Sequence, residues 1–260
     1  MKTKFVYILP ALLMMAFSCD KLHEPLTGAD SLVRITTNWD MISTVPSPKT
    51  CDVVYRDTLG NYQFTHRISS GYYTDTVRNG AYIAYGYYFK DGSMTVENIE
   101  NYRETRFVIP EDANGKIKPT TELYTSAPTL PFKTNYFNTG GFSHIMKARF
   151  TVVEINVKLG ENYSGITSCD MTLNNVYTAY DVYSDNVLKD HTATAEMSFT
   201  QLQDYHFLAR GYYLGFDGTQ GNVLTLTCRT HDGKYATQKV NLSDKLDSYS
   251  QVIRVDVNIN

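Results

Sequence analysis

The sequence has almost no excess charge of either sign: 24 Lys and Arg stand against 27 Asp and Glu in 260 residues, a net charge of −3. That balance excludes the basic footprint of a nucleic-acid binder and the polybasic patch of a protein held to a membrane by charge. Helical periodicity is scarce, which sets aside bundles and coiled coils. Beyond Phe17 no apolar run approaches the roughly 18 residues of a membrane-spanning helix. Histidines at 23, 66, 144, 191, 206 and 231 form no i, i+4 pair and no H-E-x-x-H, and the cysteines lack C-x-x-C spacing. No metal site is predicted from them. There is no G-x-S-x-G elbow and no phosphate-cradling glycine loop. The chain therefore reads as non-enzymatic and without a cofactor.

What the sequence does have begins at its N-terminus. Lys2 and Lys4 precede an apolar run from Phe5 to Phe17. A helix of that length rises about 20 Å, too short for a bilayer core of roughly 30 Å, so residues 1–18 read as a secretory signal peptide. Ala16 and Ser18 supply small residues, and Cys19 follows at once. The arrangement resembles a bacterial lipobox, which implies cleavage before Cys19 and a diacylglycerol on its sulfur, with palmitate among the acyl chains of the lipid-modified residue. Acyl chains contribute about 0.8 kcal/mol per buried methylene, so two or three of them hold a protein stably. The alternative is a secreted protein with an incidental cysteine at its cleavage site. Residues 19–28 are polar, contain Pro25 and Gly28, and read as a tether between lipid and fold.

Tyrosine is the compositional outlier, 21 residues, and with Val and Thr it points to strands. Period-two alternation marks SLVRITTNWD (31–40), CDVVYRD (51–57), AYIAYGYYFK (81–90), ARFTVVEINVKL (148–159), CDMTLNNV (169–176), NVLTLTCRT (222–230), YATQKVNL (235–242) and VIRVDVNIN (252–260). One hairpin can be placed in register. A two-residue Asp232-Gly233 turn would set Leu226 against Lys239, apolar against polar. A three-residue His231-Asp232-Gly233 loop with left-handed glycine instead puts Leu224, Leu226 and Cys228 on one face with Ala236, Val240 and Leu242. The three-residue loop is the expectation. Residues 111–143, with three prolines and a double glycine, read as a long loop or linker. The fold class expected is all-β: two tandem β-sandwich domains, 29–145 and 146–260.

Cys51, Cys169 and Cys228 all point inward by alternation, either as buried thiols or with Cys169 and Cys228 joined in a disulfide. Asp217 in FDGTQGN reads as a turn residue, since that loop lacks the alternating oxygens of a calcium site. Tyr82, Tyr85, Tyr87, Tyr88, Tyr212 and Tyr213 are either core residues of half-buried strands or aromatic platforms for sugars. Val252–Ile259 has the alternation of a donor strand, but equally of the last strand of its own domain.

The stretches ARFTVVEINVKLGENYSGITSCDMTLNNV and GYYLGFDGTQGNVLTLTCRTHDGKYATQKVNLSDKL resemble the fimbrillin-family anchor and assembly lipoproteins of Bacteroidales. The matching features are Leu214 to Phe216, Asn222, Leu224 to Leu226, Asp232-Gly233 and Val240 to Asp244. VRITTNWD and NGAYIAYGYYF fit the N-terminal half of that family. The resemblance implies transthyretin-like sandwiches on a lipidated Cys19 at the outer membrane. It implies a fimbrial (pilus) anchor or accessory role in cell adhesion, with fimbrillin or pilin subunits as partners through β-strand exchange. A surface glycan-binding lipoprotein is the alternative. The same bacterial group suggests O-glycosylation where Asp-Ser/Thr precedes an aliphatic residue, at Ser31, Thr58 and Thr76.

Overall fold

The computed structural model describes residues 30–42, 44–60, 63–119, 122–134, 141–160, 166–197, 199–203, 205–230, 233–246 and 252–259. The signal peptide, Cys19 and the tether lie outside the described residues. The strands are β1 Asp30–Trp39, β2 Thr50–Asp57, β3 Gln63–Ser69, β4 Tyr72–Arg78, β5 Gly80–Tyr88, β6 Thr95–Glu97 and β7 Arg106–Val108. There follow β8 Lys116–Ile117, β9 Tyr124–Thr125, β10 Phe132–Thr134, β11 Gly141–Ala148, β12 Thr151–Leu159, β13 Ile166–Tyr177 and β14 Ala179–Asp181. The last are β15 Asn186–Val187, β16 Thr192–Met197, β17 Phe199–Gln203, β18 His206–Tyr213, β19 Val223–Thr230, β20 Tyr235–Asn241 and β21 Val252–Ile259. No α-helix occurs among the described residues, so the fold is all-β.

The chain gathers into two compact units that interleave in sequence. Of the described residues, the first holds those within 30–38, 48–86 and 126–146; the second holds those within 39–47, 87–125 and 147–259. This differs from the single cut expected near residue 146. The expected linker 111–143 is also replaced by short strands. Its residues 116–117 form β8 beside β16, and residues 124–125 form β9.

In the first unit β3, β2 and β5 form one run of the sheet path, and β11, β1 and β4 another. The turn between β3 and β4 is bonded on both sides. Gly71 N–H donates to Thr37 Oγ1 (2.7 Å) and its carbonyl accepts Thr37 N–H (2.8 Å), while Ser70 N–H reaches the Lys49 carbonyl (2.9 Å). Gly71 sits at φ +88°, a conformation open to glycine and costly for other residues. Asp75 on β4 accepts Tyr55 Oη (2.7 Å) from β2 and stands 2.9 Å from His66 Nδ1 on β3. Burial, then the bond to Asp75, raises the Tyr55 phenol far above its usual range.

Residues 126–134 lie along β5, and three of their hydroxyls accept N–H groups of that strand. Ser126 Oγ accepts Gly86 N–H (2.7 Å), Thr129 Oγ1 accepts Ala84 N–H (3.0 Å) and Thr134 Oγ1 accepts Gly80 N–H (3.0 Å). Ser126 Oγ also lies 2.9 Å from His144 Nδ1, joining the two side chains in a buried hydrogen bond. His144 Nε2 is buried without a partner among the described residues.

The second unit is a sandwich. One sheet runs β17-β18-β12-β21 and the other β20-β19-β13-β16-β8; a small third sheet runs β15-β14-β7-β6. Between the large sheets lie Val153, Ile155, Val157, Met171, Leu173, Ala195, Leu224, Leu226, Val255 and Val257, all buried. β21 is an edge strand and pairs in parallel with β12 from Val152↔Val252 to Leu159↔Ile259. Ile253, Val255, Val257 and Ile259 face inward. The β19–β20 register is Leu224↔Val240, Leu226↔Gln238 and Cys228↔Ala236, the pairing expected from a three-residue loop. Gly233 takes the left-handed conformation, φ +80°; His231 and Asp232 lie outside the described residues.

Burial pushes His144 down to about 4, so the folded first unit holds it neutral. The unfolded chain binds a proton there below about pH 6.5 while the folded chain does not, so this stability is present above pH 6.5 and is lost as pH falls towards 4. Urea titrations across that window are expected to show a loss of about 3 kcal/mol attributable to His144. That slope should be missing in His144→Leu.

Candidate functional site

Of the residues singled out in the sequence, Cys19 lies outside the described residues. Ser31 is buried in β1 and donates to Asn79 Oδ1. Thr58, in the turn after β2, and Thr76, on β4, are exposed. Of the three sequon hydroxyls, only these two stand at the surface.

Cys51, Cys169 and Cys228 are buried and free. Cys169 and Cys228 are direct cross-strand partners on β13 and β19. The Cys169 thiol is pushed up, first by its hydrogen bond to Cys228 and then by burial, while the same bond lowers Cys228. Burial, with a smaller contribution from Asp52, raises Cys51 to about 12, so none of its thiolate is available near neutrality.

Asp217 builds its own turn: Oδ1 accepts Thr219 N–H (3.1 Å) and Thr219 Oγ1 (2.6 Å). Asn222, fully buried, donates to the carbonyls of Asn174 and Asn175 (3.2 Å each) and so fastens this loop to β13.

The tyrosines considered as sugar platforms are core residues or nearly so. Tyr82, Tyr85, Tyr87 and Tyr213 are buried, and Tyr88 and Tyr212 are half-buried. Trp39, the chain's one tryptophan, meets Tyr88 and Tyr124 edge-on at 6.0 and 5.0 Å. Among the described residues, Tyr72, Tyr183 and Tyr235 are the most exposed tyrosines, at 66%, 55% and 69%. Alternation had given no sign of them. Tyr183 occupies the turn between β14 and β15, and Tyr235 begins β20.

One geometry that can take a ligand is an open cleft of about 610 Å³ in the second unit. Its walls come from the segment entering β12 (Arg149, Phe150), the end of β13 (Tyr177), the β14–β15 hairpin (Tyr180, Asp185, Asn186), Lys189, and Leu214–Phe216 after β18. Arg149 is fixed by two bonds: Nε donates to Thr125 Oγ1 (2.9 Å) and Nη2 to Asp185 Oδ2 (2.7 Å). Asp185 also accepts the Tyr180 hydroxyl, and burial followed by that bond raises the Tyr180 phenol beyond its usual range. Asp185 adopts the left-handed conformation, φ +54°, which lets the tight hairpin turn its carboxylate back towards Arg149. Gly215 has φ +146°, and a Cβ there would lie 3.2 Å from Tyr177 Cδ2; glycine lets the ring rest on the loop. No sequence motif marks this cleft, because its residues come from positions 149, 177, 185, 189 and 215.

No protein family matches the sequence, and no curated protein matches it. Solved structures share its fold. A candidate adhesin from Bacteroides ovatus ATCC 8483 is 11% identical, with 90% of this chain and 94% of that one covered at a TM-score of 0.64. A candidate polysaccharide-binding protein from Bacteroides thetaiotaomicron VPI-5482 is 10% identical, covering 88% and 90% at 0.58. The fimbrial anchor protein Mfa2 from Porphyromonas gingivalis is 12% identical, covering 88% and 90% at 0.54. At such identities the likeness is one of fold, and it runs across nearly the whole of each chain.

Proposed function

We propose that this protein is a lipid-anchored fimbrial anchor or accessory subunit of the outer membrane. The observation that carries the reading is the full-length fold shared with a fimbrial anchor and with an adhesin. Cys19, at the end of a short apolar signal, supports it by supplying a tether. An anchor needs one end fixed in the membrane and a folded body that engages the fibre. Because β21 is committed to its own sandwich through eight paired residues, the chain meets pilin subunits as an acceptor of a strand, not as the donor of its last one. Thr58 and Thr76, exposed in the first unit, are the positions suited to O-glycans.

An envelope location has a covalent consequence. Directly opposed residues of an antiparallel pair have Cα atoms roughly 4.5–5.5 Å apart, inside the span a disulfide bridges. Cys169 and Cys228 exchange with the disulfide of a thiol oxidoreductase, forming their S–S bond and leaving that enzyme as the dithiol. Protein taken from the envelope and alkylated before digestion is expected to yield a linked 169–228 peptide with Cys51 alkylated. Alkylation at all three positions contradicts the bridge.

For the tether, cells fed an alkynyl palmitate are expected to label the wild-type protein and not Cys19→Ala, and the variant should leave the outer-membrane fraction. Labelling that survives Cys19→Ala would place the lipid elsewhere.

A further inference from the structure

We infer that the cleft of the second unit binds a sugar residue carrying a carboxylate, a uronic-acid type of glycan unit. The cleft's volume of about 610 Å³ falls in the range of small-ligand sites, roughly 300–1,000 Å³, and holds one or two sugar rings. Two cations, Arg149 and Lys189, line it against one carboxylate, Asp185. That carboxylate is already spent on Arg149 and on the Tyr180 hydroxyl, which leaves the site with one net positive charge.

Arg149 has the geometry of a pre-set anion receptor. Its side chain is 18% exposed, and its Nε and Nη2 are held by Thr125 and Asp185. Nη1 has no partner among the described residues. A guanidinium held in this way loses little side-chain freedom on meeting a carboxylate, and the bond it donates is charge-assisted. Lys189, at the rim, supplies the second charge.

The rest of the wall suits a sugar ring. Tyr177, half-buried and propped by Gly215, offers an aromatic face beside Leu214 and Phe216 for the C–H face of a pyranose. The Asn186 amide can both donate and accept, as hydroxyl groups require. A phosphate would bring about two charges where the cleft offers one, and a purely apolar ligand would cover Lys189 without giving it a partner.

The test is calorimetric titration of the full mature chain with a glucuronate-terminated disaccharide, beside its carboxyl-reduced counterpart and a glutamate-rich peptide. The acidic disaccharide is expected to bind at least about ten-fold more tightly than the reduced one, about 1.4 kcal/mol. Lys189→Gln, an exposed position, should abolish most of that preference, with a thermal melt unchanged from wild type. Tyr177→Ala should weaken both sugars alike while leaving the ratio between them. Equal binding of acidic and reduced sugars, binding of neither, binding of the peptide in place of the sugar, or a preference that survives Lys189→Gln would each overturn the inference.

Discussion

The end of the chain closes the second unit. β21 lies parallel to β12 along eight residue pairs, whereas β18 holds the other side of β12 antiparallel. Ile253, Val255, Val257 and Ile259 enter the core from this strand, each contributing about 1.5–3 kcal/mol by burial. The outward pairs, Arg254 Nε to Glu154 Oε2 at 2.8 Å and Asn156 Nδ2 to Asp256 Oδ1 at 2.9 Å, lie on an exposed face. Ion pairs so placed are worth about 0–1 kcal/mol, so burial holds the strand and the polar pairs favour its register. A slip of one residue would turn every apolar side chain to water. What the protein does for a partner must therefore leave β21 in place.

A different device holds the first unit. There the end strands β3 and β4 are joined by a turn pinned at Thr37 and Lys49, and Asp75 gathers Tyr55 and His66 across the strands. The rings of Tyr55, Phe64, Tyr82, Phe132 and Phe142 pack against one another in stacked, edge-on and tilted pairs, and Tyr55 joins this cluster to Asp75. The hydroxyls of residues 126–134 serve the same end, supplying β5 with acceptors. One unit is closed by apolar alternation and the other by polar contacts within an aromatic cluster.

That contrast explains what the sequence made legible. Strands with clean alternation, β1, β2, β5, β12, β13, β19, β20 and β21, all stand where periodicity placed them, and the β19–β20 register followed from which loop length matched apolar with apolar. β3, β4 and β16–β18 were not visible, because Thr, His, Gln and Tyr on both faces blur a period of two. Residues 111–143 read as a linker because β8, β9 and β10 are only two or three residues long and Ser126, Thr129 and Thr134 add side-chain bonds to β5, neither of which a hydropathy pattern encodes. Of the tyrosines considered for sugar contact, Tyr82, Tyr85, Tyr87 and Tyr213 are buried, and Tyr88 and Tyr212 are half-buried. The cleft stayed hidden because Arg149, Tyr177, Asp185 and Lys189 converge only after folding.

The proposed role is that of a subunit that holds or accompanies a surface fibre. That role is tested most directly in the native producer by deleting the protein, restoring it, and measuring sheared surface fibres by electron microscopy and mass spectrometry. The account predicts that the chain is found at sub-stoichiometric level in wild-type fibres and that its loss lengthens fibres or releases them into the medium, with restoration reversing the effect. Fibres that lack the chain, and whose length and attachment are unchanged by its deletion, would contradict it.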